Sequence, residues 1–179
     1  TILLSTWGLF TGLALLLINA GVYSTLVGIR AELKNLPTIV SGGITTAYYA
    51  GFLLGSWYTL RALKQVGHIR VYAALASLLS ASVLITGVYD SPLVWIIMRS
   101  STGFCFAGLY VVAESWLNGL ASNTFRGRLL AMYNVVTIGA YGAGQLLVFN
   151  FDARTLTGFA FAAVVSSLAV IPVVMSEQA

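Results

Sequence analysis

Apolar side chains fill six long runs of this chain, and short segments between the runs hold most of its charges. The runs cover residues 7–29, 40–60, 71–89, 93–117, 129–149 and 157–175. Each run has about the 20 residues that an α-helix needs to cross a bilayer, and none alternates as a membrane β-strand does. The pattern predicts an all-α integral membrane bundle of six transmembrane helices, forming one domain over residues 1–179. Because the connections are short, consecutive helices are predicted to be antiparallel neighbours.

Composition places most of this chain in lipid rather than in water. Of the 179 residues, 59% are hydrophobic and 8% are charged, whereas about a quarter of the residues are charged in a soluble domain. The mean hydropathy is +0.92. The lipid bilayer is therefore the predicted partner of most side chains. No segment holds a carboxylate pair or a nucleophile motif, so we expect no enzyme activity.

The excess of basic over acidic residues does not indicate that the chain binds nucleic acid. The net charge is +4, but the nine Lys and Arg residues lie mostly between apolar runs, which is typical of membrane topology signals. Cys105 is the sole cysteine and His68 the sole histidine, so the sequence offers no disulfide framework and no cluster of metal ligands. We expect no cofactor, no metal and no nucleic-acid partner.

The basic residues predict how the chain crosses the membrane. The connections after the second and fourth runs hold five of them, namely Arg61, Lys64, Arg70, Arg126 and Arg128. The opposite side holds three, namely Arg30, Lys34 and Arg154. Cytoplasmic loops carry the excess of Lys and Arg, so both termini are predicted to lie in the cytoplasm, with the protein in the inner (cytoplasmic) membrane.

The fourth run carries charge inside its apolar span. Arg99, Tyr110 and Glu114 fall along one stripe of a helix that turns by about 100° per residue. Arg99 and Glu114 are about 22 Å apart along the helix axis, so they cannot pair. An unpaired charge at the bilayer centre costs at least ~2.5–3.5 kcal/mol. Each residue is therefore either an interface anchor or packing ion pair, or part of an aqueous path.

Polar positions on other runs add to this stripe. Asn19 lies within the first run and is followed by Tyr23 and Ser24, and the segment "TTAYY" lies in the second. A stripe on the fifth run contains Asn134, Tyr141 and Gln145 at helical spacing. We predict that the first, second, fourth and fifth helices converge on a cavity, although the same groups could instead pair between helices for about 1 kcal/mol each. The predicted substrate or proton pathway comprises Asn19, Arg99, Tyr110, Glu114, Asn134, Tyr141 and Gln145.

Small residues recur at helix-packing distance. The segments "GLFTG" (Gly8, Gly12) and "GFLLG" (Gly51, Gly55) are small-xxx-small motifs that let helices approach closely. The segment "GAYGAG" at 139–144 places small residues on one face of the fifth predicted helix. These motifs predict either simple close packing or a seam along which helices slide.

Three segments resemble the major facilitator superfamily. "RSSTGFCFAG" (99–108) resembles the fourth-helix motif of that family, an arginine followed four residues later by glycine and then small residues. "LRALKQVGHIR" (60–70) resembles the family's signature loop, in which Gly67 and Arg70 match and Lys64 stands where aspartate is usual. "VVAESWLNGLASNTFRGRLLAMY" (111–133) resembles a largely uncharacterised bacterial branch with a Glu-Ser pair late in the fourth helix and an Arg-Gly-Arg loop.

This resemblance implies a fold of twelve helices in two six-helix halves, with substrate bound between the halves and moved by alternating access. The chain would be the N-terminal half, and a second six-helix half or another membrane subunit would cover its polar faces. Arg99 would bind substrate or couple protons. The residues expected in the loops that change with conformation are Lys64, Gly67, Arg70, Arg126 and Arg128.

Two functions are open at this point. The first is a secondary active transporter of a small solute, coupled to protons through Glu114, with Arg99 attracting an anionic or polar substrate. No G-x-x-x-x-G-K-[ST] motif is present, so ATP does not drive it directly. The second is a non-transporting half-facilitator that acts as a structural or accessory subunit of a larger membrane complex.

Overall fold

A computed structural model describes residues 2–120 and 126–176, with side chains described for 6–119 and 126–176. The helices are α1 (Ile2–Leu33), α2 (Thr38–Val66), α3 (His68–Val88), α4 (Pro92–Leu120), α5 (Arg126–Leu147), α6 (Thr157–Leu168) and α7 (Val170–Ser176). A single 3₁₀ turn, Val148–Asn150, follows α5, and these ranges contain no strand. The all-α prediction is therefore confirmed.

The sixth predicted run is divided into α6 and α7 at Ala169. Pro172 lies four residues after Leu168 and has no N–H to donate to the Leu168 carbonyl. The two helices still form one apolar stretch, Thr157–Ser176, that is long enough to cross a membrane. The break therefore follows from one missing hydrogen bond and does not divide the rod into separate elements.

Four stretches are both long and apolar enough to span a bilayer, namely Thr6–Leu33, His68–Val88, Pro92–Gly119 and Thr157–Ser176. The helices α2 and α5 have 29 and 22 residues, so length does not distinguish them. They are less apolar because α2 carries threonines, tyrosines, Arg61 and Lys64, and α5 carries Asn134 and Gln145. That α2 and α5 also cross the membrane stays a prediction.

The predicted loop between the second and third runs is wrong. Helix α2 continues to Val66 and α3 begins at His68, so Lys64 and Arg70 lie inside helices. Gly67 alone turns the chain, with φ of +85°, a conformation that glycine adopts without steric cost. The apolar-run criterion ended the second run too early because Arg, Lys and Gln are good helix formers although they are polar.

The predicted Arg-Gly-Arg loop is also wrong. Arg126 and Arg128 belong to the first turn of α5, which begins at Arg126. The preceding residues, 121–125, lie outside the described residues. The two arginines therefore have helical positions, on the same end of the bundle as Lys64, Gly67 and Arg70. We call this end the Lys64 end.

Helices that follow each other in sequence are mostly not the ones that pack. Helix α2 packs most extensively on α4, and α1 packs on α5 and α6. Helix α3 packs on α4 and α6, so α3 and α4 are the main pair that is also consecutive. The expectation of neighbouring consecutive helices fails because side-chain size, rather than loop length, selects which helices can approach closely.

The packing repeats between the two halves of the chain. Helices α1, α2 and α3 of the first half correspond in order to α4, α5 and α6 of the second. The packed pair α2–α4 then corresponds to the packed pair α5–α1, and α3–α4 corresponds to α6–α1. The pair α3–α6 corresponds to itself. The bundle thus consists of two three-helix units that pack in the same way, as many transporter folds do.

Glycines make the two closest pairs possible. A Cβ added at Gly51 of α2 would meet the backbone oxygen of Ser100 in α4. On the equivalent pair, a Cβ at Gly144 of α5 would meet the backbone of Ile18 in α1. Gly8 and Gly12 similarly lie against the α6–α7 rod. The small-xxx-small motifs therefore pack as predicted, and the sliding seam stays a prediction.

Arg30 connects three elements at the opposite end of the bundle, which we call the Arg30 end. Its guanidinium donates to the carbonyl oxygens of Gly87 at 3.0 Å and Arg154 at 3.2 Å, and it lies 4.9 Å from the Phe159 ring centroid. Lys34 forms an ion pair with Asp90 nearby. Arg30 is therefore buried within α1, and it ties α1 to the end of α3 and to the connection that precedes α6, rather than lying in a loop.

Candidate functional site

Helices α1, α2, α4 and α5 surround two cavities, where the sequence predicted one. The Arg99 cavity, of about 410 Å³, is lined by Arg99, Tyr23, Ser24, Thr45 and Tyr48 among others. The Glu114 cavity, of about 590 Å³, is lined by Glu114, Tyr110, Tyr133, Asn134 and Thr137 among others. The first lies in the half of these helices nearer the Arg30 end, and the second lies nearer the Lys64 end.

Arg99 is buried in the wall of its cavity and is held by aromatic rings. Only 8% of the residue is exposed, and its guanidinium carbon lies 4.7 Å from the Tyr48 ring centroid and 5.3 Å from that of Tyr23. The Tyr23 hydroxyl is hydrogen-bonded to Thr86 Oγ1 at 3.1 Å, which fixes this ring. The π-faces stabilise the cation where water is scarce. The guanidinium therefore places a cation in the cavity wall.

The charge of Arg99 has no carboxylate partner in the described part of the chain. Its buried Nε makes no hydrogen bond there. Asp90 is paired with Lys34, and Glu32 lines the same cavity near the end of α1 without forming an ion pair with Arg99. Arg99 therefore forms no packing ion pair within the described residues, whereas its roles as an interface anchor or as part of an aqueous path stay predictions.

Glu114 lies in the other cavity and has a single tyrosine partner. Its Oε1 accepts a hydrogen bond of 3.1 Å from the Tyr133 hydroxyl of α5. The carboxylate is otherwise exposed at the cavity wall. Tyr141 lines both cavities, and the rings of Tyr110 and Phe52 are 6.3 Å apart. Aromatic side chains therefore lie between the Arg99 and Glu114 cavities.

The structure does not bring every predicted pathway residue to these walls. Asn19 is fully buried, neither atom of its amide has a partner in the described residues, and it lines neither cavity. Gln145 is exposed and lines a separate groove beside Asp152 and Arg154. Both residues lie on the polar stripes predicted for their helices, but Gln145 is one turn beyond Tyr141 along α5, and neither residue lines either cavity.

The basic residues of the Lys64 end are exposed and lie outside both cavities. Arg126 donates to Asn118 Oδ1 at 2.9 Å, and Arg61 stacks on Trp57 at 4.0 Å. Lys64, Arg70 and Arg128 are exposed at the same end. Their predicted role in conformational change stays a prediction.

Sequence reasoning missed the contact of Tyr23 and Tyr48 with Arg99. The sequence identifies both tyrosines only as polar positions on apolar runs. Each tyrosine is recognisable as a polar residue in an apolar helix, but the contact with Arg99 joins α1, α2 and α4. Residues on three helices come together only through tertiary packing.

Comparison with known proteins identifies the family. No family model and no solved structure matches the chain. Proteins named "Uncharacterized MFS-type transporter YcaD" from Salmonella newport (strain SL254), Salmonella typhi and Salmonella typhimurium are each 33% identical to it over 148 residues. The match covers 83% of this chain and 39% of each relative, so the chain spans well under half the length of these relatives. MFS abbreviates major facilitator superfamily, and the chain belongs to that superfamily.

Proposed function

We propose that the protein is a secondary active transporter that moves a small solute by alternating access and couples this movement to protons. The observation that carries the proposal is the pair of cavities along α1, α2, α4 and α5, one with Arg99 of α4 in its wall and the other with Glu114 of α4. Arg99 is the binding group for the solute, and Glu114 is the proton-carrying group. The name of the relatives, MFS-type transporter, supports the proposal.

Alternating access needs a path that is never open at both ends. The aromatic side chains between the two cavities, Phe52, Tyr110 and Tyr141, supply the closure in this conformation. The repeated packing of the two three-helix units supports rocking as the motion that moves this closure, because equivalent seams can open in turn.

Proton coupling requires an acid that is exposed alternately to bulk water and to the solute path. Two described acids line the cavities, and Glu114 is the one that lies more than one turn inside its helix, since Glu32 lies one residue from the end of α1. Tyr133 donates to the carboxylate, so the ionised form has a partner, and the neutral form can keep the same bond.

We further propose that a second six-helix half, or another membrane subunit, covers the exposed apolar faces of α2 and α5, and that both termini are cytoplasmic. Exposed apolar residues on these helices include Ile39, Leu53, Val135 and Ile138. Burial of Arg30 and pairing of Lys34 leave fewer free basic residues at the Arg30 end than at the Lys64 end, which supports the predicted orientation.

Labelling of introduced cysteines tests the motion. Ser24→Cys lies in the Arg99 cavity and Asn134→Cys in the Glu114 cavity, and a Cys105→Ser background removes the one native thiol of the chain. We expect a pH gradient across proteoliposomes to raise the labelling rate at one position and lower it at the other, each about threefold or more, because a shift of that size needs only about 0.7 kcal/mol.

Gln65→Cys is the matched control, because Gln65 is exposed on α2 outside both cavities. Its labelling rate is expected to stay constant. Rates that do not respond at Ser24 and Asn134 would contradict alternating access and favour the accessory-subunit function.

Substitution of Glu114 by glutamine tests proton coupling separately. The glutamine Oε1 can still accept the Tyr133 hydroxyl, so the fold is expected to persist. We expect gradient-driven accumulation of transported solute to be lost while exchange of solute at equal pH continues. Tyr133→Phe, which keeps the carboxylate, should retain accumulation. Accumulation that persists in Glu114→Gln contradicts the assigned role.

A further inference from the structure

We infer that the Arg99 cavity binds a small organic anion with one carboxylate and a ring-sized body. This inference rests on the proposed transport function, because it names the class of solute that the same cavity receives. Three observations carry it: the count of charges in the cavity, the free donor of Arg99, and the side chains of the wall.

The charge balance selects a single negative charge. Arg99 is the only cation that lines its cavity, and it is buried without a carboxylate partner in the described residues. Glu32, the one acid of this lining, lies near the end of α1 and forms no ion pair with Arg99, so a monoanion bound at the guanidinium would pair with the buried cation. A dianion would leave one charge uncompensated, and Glu32 in the same wall would repel it further.

The free donor selects a carboxylate. Arg99 Nε is buried and donates no hydrogen bond within the described chain. Nε and a neighbouring Nη of one guanidinium form two parallel donors, which match the two oxygens of a carboxylate. The contacts with Tyr23 and Tyr48 are made through ring faces, which limit the positions that the guanidinium can adopt.

The aromatic side chains of the wall select a ring-shaped body. Aromatic and aliphatic side chains, including Tyr49, Phe106 and Ile44, line the cavity beside Arg99. Hydroxyl groups, among them those of Ser24, Ser41 and Thr45, lie between these side chains and can bond the polar edge of a ligand. A volume of about 410 Å³ is within the usual range for small-molecule sites, and aromatic walls pack well against a flat ring.

A matched ligand series tests the inference on the unaltered protein. The probes are phenylacetate, phenylacetamide and phenylmalonate, which share one ring and carry one, zero and two negative charges at pH 8. Binding is measured by calorimetry on the complete protein in detergent. We expect phenylacetate to bind at least about tenfold more tightly than either analogue, because a charged hydrogen bond is worth about that factor.

Two variants locate the site. In Arg99→Gln the tenfold preference for phenylacetate over phenylacetamide should disappear, whereas Arg61→Gln, which removes an exposed cation outside the cavity, should retain it. Equal affinity for all three probes, tighter binding of phenylmalonate, or no binding of phenylacetate overturns the inference. The cysteine-labelling test does not use these probes, so failure of the proposed transport function is seen independently.

Discussion

Replacement of Arg99 by methionine is expected to raise the free energy of unfolding by about 1–2 kcal/mol. The substitution removes a buried cation without a carboxylate partner, which costs ~2.5–3.5 kcal/mol within a membrane span. It also removes two ring contacts, worth about 0.5–1 kcal/mol each. Methionine fills similar space without charge. Thermal unfolding in detergent, followed by tryptophan fluorescence, should show a higher midpoint.

Arg30→Met is the matched control and is expected to have the opposite sign. Arg30 is 7% exposed and Arg99 is 8% exposed, so burial does not distinguish them. Arg30 donates to two backbone carbonyls, and hydrogen bonds from charged groups contribute about 1.5–3 kcal/mol each. Because removal of the buried charge offsets part of this contribution, we expect a net loss of about 1–3 kcal/mol.

The pair of substitutions separates a binding residue from a structural one. A residue kept for ligand binding carries a stability cost, because its partner is absent in the resting protein. If Arg99→Met destabilises the protein as Arg30→Met does, then Arg99 holds the fold together and its assignment to solute binding is wrong.

Replacement of Gly51 by alanine is expected to lower the free energy of unfolding by about 1–3 kcal/mol, the usual cost of overpacking. The added methyl group would meet the backbone oxygen of Ser100. Backbone cannot rotate aside, so α2 has to move away from α4 along the seam that also includes Gly55 and Gly103. Thermal unfolding measures the change, and the Arg99 cavity should lose ligand affinity because Tyr48 lies on the same helix.

Gly139→Ala provides the same chemical change where no neighbour lies within 4 Å. Alanine favours helix over glycine by about 0.5–1 kcal/mol, so this variant is expected to be neutral or slightly more stable. A Gly51→Ala protein as stable as Gly139→Ala would show that the α2–α4 contact is looser than the structure indicates.

The amino-acid sequence by itself determined the all-α class, the positions of the helices and the family. These follow from local quantities: runs of apolar residues as long as a bilayer is thick, and short motifs such as "RSSTGFCFAG". It also determined that glycines at helical spacing would allow close packing, because a glycine lets a neighbouring helix approach closely whichever helix that neighbour is. Helix ends were less predictable, since polar helix formers extend α2 and α5 beyond their apolar runs.

Only the tertiary structure decided which helices pack and which polar residues meet. Arg30 and Arg99 are alike in the sequence, each an arginine in or beside an apolar run, yet one binds carbonyls and the other faces a cavity. Asn19 and Gln145 share stripes with cavity residues but line neither cavity. Helical periodicity gives the face that a residue occupies, whereas the neighbour of that face depends on contacts between distant parts of the chain.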